Sequence, residues 1–539
     1  MVTDVEAGVG DGKAVGQPGA TGATRRYLCG DRDQLFLLPV CMRDWLEDGH
    51  LAWFVLDVVA SMDTSALHDR PGGCEGRPPY EPEMMCALLL YGYCTGVRFS
   101  RRIEAACQTD AAFRVISGGL VPDHATIARF VARHEQALEG LFVEGVRLCA
   151  AAGLADLSVL ALDGTKIAAD AALDRNRGAE WIRRELVKLM ALTAEDADAA
   201  GDGALGLPGI EPAAEISTPR GREARFRAAL EVIEAEDAAA AADAALQAKA
   251  ALAEAERGRQ VTGRKPKQPL AALQRAEVDH AVAVERLETM QAARAEQHAA
   301  AARGEKLKAP PPCRIETAKR TLERAVAALA AAREAIENAP PSATQANITD
   351  PDSRIMKTKD GWVQGYNAQA IVNQHQIALA CEVSQDANDV QLYQPMTAEL
   401  TDTLTTAEIP AEIGLMLADA GYWSEENATT PGPDRLIATL KDWKQRCAAR
   451  KLGHTTGPPP PDANTVEEME HLLRTPQGAA AYAQRSHLIE PVFGNHKHNR
   501  GMRRFRRRGL SAVRSEWAFI QLAGNMLKLH QHRITAAAA

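Results

Sequence analysis

The sequence predicts an α/β core preceded by an all-α N-terminal domain and interrupted by a long helical insertion. Three observations carry this reading. Two short apolar runs, in LSVLALDG and EIGLMLADAGY, each stop on an aspartate, Asp163 and Asp419, close to a glycine. A strand that delivers a carboxylate at its C-terminal edge is how α/β sites are built. Between these runs, residues 176–345 are dominated by Ala, Glu, Arg, Lys and Leu, with almost no aromatics. Before them, residues 25–152 carry helical periodicity and helix start signals.

Composition bounds the function classes. The chain has 539 residues, 46% hydrophobic and 25% charged, the balance of a globular protein with room for several domains. It has no run of about twenty apolar residues, and its first residues lack the apolar centre of a signal peptide, so a cytoplasmic protein with no membrane partner is expected. Ten cysteines show no Cys-x-x-Cys spacing, which argues against a zinc site and against a disulfide framework; reduced, mostly buried thiols are expected. A formal net charge of −9 and a pI near 5.9 argue against nucleic acid unless the basic residues are locally concentrated.

Taken in order, residues 1–24 read as a disordered leader and 25–152 as a helical domain. Pro82 opens a long apolar helix, Ser100 is placed to cap the next, and Asp123 caps a third. In HATIARFVARH, Ile127, Phe130, Val131 and His134 form an apolar stripe, while Thr126, Arg129 and Arg133 form a polar one suited to a DNA groove. The strand ending at Asp163 follows, with Asp170 and Asp174 shortly after it. In the insertion, Ile315, Leu322, Leu329 and Ile336 recur every seven residues, with Ala318, Ala325 and Ala332 three further on. This a/d seam predicts a coiled-coil hairpin, its partners being the segments with Phe226, Leu230 and Ile233 and with Leu273, Val284 and Leu287. The loop TGRKPK resembles clamps that enter narrow minor grooves. The core resumes over 346–530, with strand-like alternation around a Gln-His-Gln turn, a helical segment, the run ending at Asp419, and a last strand in 434–442. A Pro- and Gly-rich stretch near 450–465 is expected to loop out, SEWAFIQLAGNMLKLHQH to pack on the sheet as a helix, and 531–539 to form a tail.

The stretch Tyr482–Leu510 concentrates the positive charge. Between Arg485 and Arg514 the only acid is Glu490, among nine Arg and Lys residues. With Pro491 in a first helical turn, Glu490, Lys497, Arg500 and Arg504 would share one face, which suits a phosphate. His487, His496 and His498 are expected at phosphate or in solvent.

Several of these motifs resemble one family. The spacing of Tyr482, Arg485, Glu490 and Lys497 resembles the Tyr-Arg-Glu-Lys signature of bacterial insertion-sequence transposases, and IEPVFGNHKHNRGMRRFRRRGL closely resembles the form carried by one branch. Here four residues separate Arg485 from Glu490, where the general signature has three. DGTKI with AADAALDRNR resembles the first catalytic-aspartate segment, DAGY the second, and Thr349–Val390 the second and third core strands. The resemblance implies a DDE enzyme with a ribonuclease-H-like core, a mixed sheet flanked by helices, in which Asp163, Asp419 and Glu490 are catalytic and bind two Mg²⁺ or Mn²⁺ ions. It implies DNA contacts from Tyr482, Arg485, Lys497, Arg500 and Arg504, and from an N-terminal domain carrying Thr126, Arg129 and Arg133. The expected partners are the element's terminal inverted repeats and target DNA, engaged by a homodimer at the bacterial nucleoid. A nuclease of the same fold without strand transfer, and a non-catalytic DNA-binding scaffold built on the coiled coil, are the competing readings.

Overall fold

A computed structural model describes residues 41–538 apart from 69–78, 200–218, 257–268, 305, 338–343, 360, 411, 442–443, 445–446 and 448–450. The expected leader and the TGRKPK loop lie outside the described residues. The chain divides into two units, residues 1–45 and 46–539. Of the first, a single turn of 3-10 helix, Met42–Trp45, is described. All that follows concerns the second.

Six helices come first: α1 (Leu51–Ser61), α2 (Pro82–Thr95), α3 (Ser100–Thr109), α4 (Ala111–Ile116), α5 (His124–Arg133) and α6 (Glu135–Ala151). Pro82 stands at the start of α2, where its missing N–H costs nothing. The α2 residues Met84–Cys94 are all buried, so the helix is apolar all round and central. Asp123 caps α5 by accepting from the Thr126 N–H at 2.9 Å. Ser100 does not cap: α3 begins one residue earlier than expected, leaving Phe99 at the cap position and Ser100 inside the helix.

The main sheet contains β1 (Val159–Ala168), β4 (Arg354–Thr358), β5 (Gly361–Val372), β6 (Ala378–Ser384), β7 (Leu415–Ala418) and β8 (Asp434–Ile437), in the order β4-β5-β1-β7-β8 with β6 also paired to β5. The β5 pairings to β1, β4 and β6 are antiparallel, whereas β1, β7 and β8 run parallel, so the sheet is mixed. A separate ribbon, β2 (Asn176–Gly178) against β3 (Gln345–Asn347), joins the two ends of the insertion.

The helices α11 (Tyr393–Thr406), α12 (Glu425–Thr429), α13 (Thr465–Arg474), α14 (Pro476–Gly494) and α15 (Leu510–Ala538) complete this part. The N-terminal helices do not have a core of their own. Leu88 of α2, Phe142 of α6, Leu160 of β1 and Trp517 of α15 belong to one buried apolar cluster. The α15 face expected on the sheet is there, with the Trp517 indole donating to the Gln369 carbonyl at 2.8 Å.

The insertion holds α7 (Ala179–Ala199), α8 (Pro219–Glu256), α9 (Pro269–Ala302) and α10 (Pro312–Glu337). On α10, Ala318 and Ala325 are buried and Ile315, Leu322, Leu329 and Ala332 are half-buried, while their neighbours are exposed. The seven-residue period therefore marks the packed face; Ile336 has no described side-chain environment. The partner of α10 is α9. The other expected partner segment serves elsewhere, since Phe226 and Ile233 pack with Ile182, Ala346 and Ile348.

Candidate active site

Parallel pairing of β1 with β7 ends at Leu162↔Ala418, and the next residues on the two strands are Asp163 and Asp419. The sequence suggested that the first strand ends at Asp163. Instead β1 continues to Ala168, because β5 still pairs with it up to Ala168↔Gly365. Asp163 thus marks the point at which one edge of β1 is released by β7, and this leaves room for side chains to converge.

Asp419 closes its own turn, its Oδ1 accepting from the Gly421 N–H at 2.8 Å. A Cβ on Gly421 would lie 2.9 Å from Asp419 Oδ1 and 3.3 Å from Asp389 Oδ2, so only glycine fits between these carboxylates without a shift. Asp163 Oδ1 accepts from the Gly164 N–H at 2.7 Å, and its Oδ2 accepts from Arg485 at 3.0 Å. Burial, and next the charge of Asp419, push the Asp163 carboxyl up to about 7 against the pull of Arg485. The neighbouring charge of Asp419 thus disfavours ionisation of Asp163, and Arg485 offsets part of that cost.

A polar network supports the turn from the other face of β1. Asp389 Oδ1 accepts from Asn367 at 2.7 Å, Gln369 at 3.1 Å and Lys166 at 3.1 Å. Gln369 also accepts from the Tyr422 hydroxyl, three residues past Asp419. Asn367, Gln369 and Tyr422 are fully buried, and burial together with Asp163, Asp389 and Asp419 raises the Tyr422 phenol well above its ordinary value. Asp389, Asn367 and Gln369 were not singled out from the sequence. The available signal was the pair of polar residues two apart in the apolar run YNAQAIV, since alternate polar residues in a buried strand imply a buried polar partner.

The helix carrying Glu490 begins at Pro476, not at Pro491. Pro491 lies inside α14, and the His487 carbonyl that its missing N–H leaves without a helical partner accepts instead from the Gln376 amide at 3.0 Å. After Gly494 the chain passes through one π turn, Asn495–Asn499, and leaves the helix. The single face expected to carry Glu490, Lys497, Arg500 and Arg504 therefore does not extend past Lys497. Glu490 is exposed on α14. The Lys497 ammonium reaches the Thr165 hydroxyl and the Lys166 carbonyl, and Thr165 points to the same side of β1 as Asp163.

Two cations expected at phosphate are instead interior. Arg485 is buried against Asp163, with its guanidinium 5.9 Å from the centre of the half-buried Tyr482 ring. Arg500 is buried and donates to Asn495, to the Ile520 carbonyl and to His496; burial lowers it to about 10. His496, expected at phosphate or in solvent, is buried with them and held neutral by burial and by Arg500. Arg503 and Arg504 are exposed. Acids from distant segments offset much of the remaining run: Glu135 pairs with Arg507, Asp170 with Arg508, and Glu382 with Arg514. The loop is pinned through its backbone as well, the Arg506 and Arg507 N–H groups donating to Glu516 and those of Gly509 and Leu510 to Asp350 and Asp352.

On α5, Ile127 is buried while Arg129 and Arg133 are exposed and Thr126 is half-exposed, so the two stripes face as expected. Arg129 leans back onto the Thr126 hydroxyl at 3.0 Å, leaving a compact polar surface.

The donor set suits a hard cation: the converging groups are carboxylates. Among the described residues no three His, Cys, Asp or Glu side chains already stand as a ligating group. The described cysteines are free, and five of the eight, Cys86, Cys94, Cys107, Cys149 and Cys381, are buried. No helix among the described residues is long and apolar enough to cross a membrane.

Residues 40–133 match the family described as Transposase domain (DUF772), and residues 443–530 match the Transposase DDE domain. The second match covers Arg485, Glu490 and Lys497; Asp163 and Asp419 lie outside it. No curated protein and no solved structure matches the chain. DDE transposase domains generally use divalent metals, and transposases act on DNA. The match over α1 to α5 and the match over α13, α14 and most of α15 are both to transposase domains, and together they support an insertion-sequence DDE transposase.

Proposed function

We propose that the chain cleaves DNA at the ends of its element and transfers the freed 3′-hydroxyl to target DNA, using Asp163, Asp419 and Glu490 on a ribonuclease-H-like sheet. The observation that carries this is the adjacency of Asp163 and Asp419 at the ends of parallel pairing, with the Asp163 carboxyl pushed up to about 7 by burial and by its neighbour. Such a pair is stable as two anions only with added positive charge. Divalent ions, Mg²⁺ or Mn²⁺, held by these acids would activate an attacking oxygen and stabilise a leaving one. Arg485 holds the Asp163 carboxylate in place through Oδ2. Lys497, fixed at Thr165, brings an ammonium to the same strand face, where it can hold a phosphate. Glu490 on α14 is the acid that supplements the strand pair.

The test is a cleavage and strand-transfer assay on labelled element ends. Asp163→Asn, Asp419→Asn and Glu490→Gln should each reduce metal-dependent cleavage by roughly three orders of magnitude or more, with DNA binding retained and a double variant scarcely worse than a single. Normal strand transfer by Glu490→Gln would remove Glu490 from the site. Cleavage without joining by the wild-type chain would reduce the activity to that of a nuclease.

A further inference from the structure

The β4–β5 hairpin extends beyond the rest of the sheet. Pairing of β5 to β1 stops at Gly365, the Ala169 N–H still donates to the Gln364 carbonyl at 2.9 Å, and pairing to β6 begins at Asn367, so Gly361–Val363 have only β4 as a strand partner, as far as Thr358↔Gly361. In this two-stranded tongue Lys357 lies opposite Trp362 and Ile355 opposite Gln364, which puts all four on one face. The other face is anchored, with Met356 fully buried. On the first face Gln364 is buried, but Trp362 is 63% exposed and Ile355 45% exposed. Lys357 and Lys359 beside them are exposed too.

A lone surface Leu needs no explanation, whereas an indole left in water on a paired ribbon forgoes burial of about 150–250 Å² of surface. Two lysines next to it make the face cationic as well as aromatic. A two-stranded ribbon fits a DNA groove, and an aromatic face with adjacent ammonium groups is the chemistry that stacks on a base and pairs with its phosphate. We propose that this tongue is a DNA contact in which Trp362 stacks on an unpaired base while Lys357 and Lys359 neutralise the adjoining phosphates. It rests on DNA being the substrate and is independent of the cleavage chemistry assigned to Asp163, Asp419 and Glu490.

The test uses the full chain in EDTA, with fluorescence anisotropy on a blunt DNA duplex and on the same duplex carrying a single-stranded tail. Trp362→Ala should weaken binding to the tailed duplex by about tenfold with little effect on the blunt one, and Trp362→Phe should keep most of the affinity. Lys357→Ala should lower the slope of log affinity against log salt by about one unit. Equal affinity of folded Trp362→Ala and wild type for the tailed duplex would overturn the proposal. So would a change of oligomeric state in Trp362→Ala on gel filtration, which would make the face a contact between copies. Failure of the wild-type chain to bind either duplex would overturn this contact and the transposase reading together, whereas loss of cleavage in the acid variants leaves it standing.

Discussion

Arg485 donates to Asp163 at 3.0 Å although 322 residues separate them in the chain, and the two side chains are 5% and 22% exposed. Removing one partner of such a pair leaves a buried charge uncompensated, which costs about 3–5 kcal/mol in comparable sites. Arg485→Ala is therefore expected to lower the urea midpoint markedly. Asp163→Asn should cost less, because it also relieves the repulsion with Asp419. Equal stability of Arg485→Ala and wild type would show that the pair is not maintained in solution.

Within its own segment Asp163 is distinguished by position from Asp170 and Asp174. Asp170 pairs with Arg508, and Asp174 lies in a 3-10 turn, Leu173–Arg175. Asp170→Asn and Asp174→Asn are expected to keep most cleavage activity, within about tenfold of wild type, because neither removes a charge from the Asp163–Asp419 pair. A loss as deep as that of Asp163→Asn, in either variant, would move the catalytic role to that aspartate.

The exposed Arg129 and Arg133 of α5 are expected to meet DNA backbone. Replacing both with Ala should weaken binding and reduce the salt slope by about one unit for each phosphate that is no longer neutralised. An unchanged slope in a folded double variant would leave α5 as an ordinary surface helix.

Stability should respond to Glu399. Burial, and next Glu382, Asp402 and Glu139, raise its carboxyl from 4.5 to about 6, with Arg514 opposing. A carboxyl that binds its proton more tightly in the folded state makes the fold gain stability as pH falls from about 6 towards 4.5, and carry the full penalty above 6. Glu399→Gln should be more stable than wild type at neutral pH, and the difference should shrink as pH falls through that window. The difference in urea midpoint between the two proteins, measured at several pH values, checks this.

What the sequence made legible is what local patterns encode. Apolar runs stopping at Asp163 and Asp419 reported where the parallel pairing of β1 with β7 ends, although β1 itself runs on to Ala168; the seven-residue period from Ile315 reported the packed face of α10, and Asp123 reported a cap. Features set by distant partners were not legible. Pro491 looked like a helix start because nothing nearby shows that Gln376 accommodates it inside α14. Arg500 looked like a phosphate ligand because its burial under α15 depends on a segment that follows it, and the charge of the arginine run is reduced by Glu135, Asp170 and Glu382, none of them close in sequence. Asp389 was missed for the same reason: its three donors come from β1 and β5.

The ribbon at the base of the insertion allows a clean excision. Gly178 pairs directly with Gln345, so residues 179–344 leave and re-enter the fold at adjacent points. A two-residue Asn-Gly turn can bridge an antiparallel pair of this kind without disturbing its register. What the excision exposes is limited: Ala346 and Ile348 lose the cover of Ile182, Phe226 and Ile233, while the large core that joins α2, α6, α15 and the main sheet contains none of the insertion's described residues. Replacing 179–344 by Asn-Gly is expected to give a soluble, cooperatively folding protein with the Asp163–Asp419 pair intact, at a modest cost in stability that polar replacement of Ile348 should partly recover. Circular dichroism and urea unfolding of the excised chain decide the matter. If it fails to fold both with and without the Ile348 change while the full chain folds, the insertion is part of the folding unit and the ribbon is not its boundary.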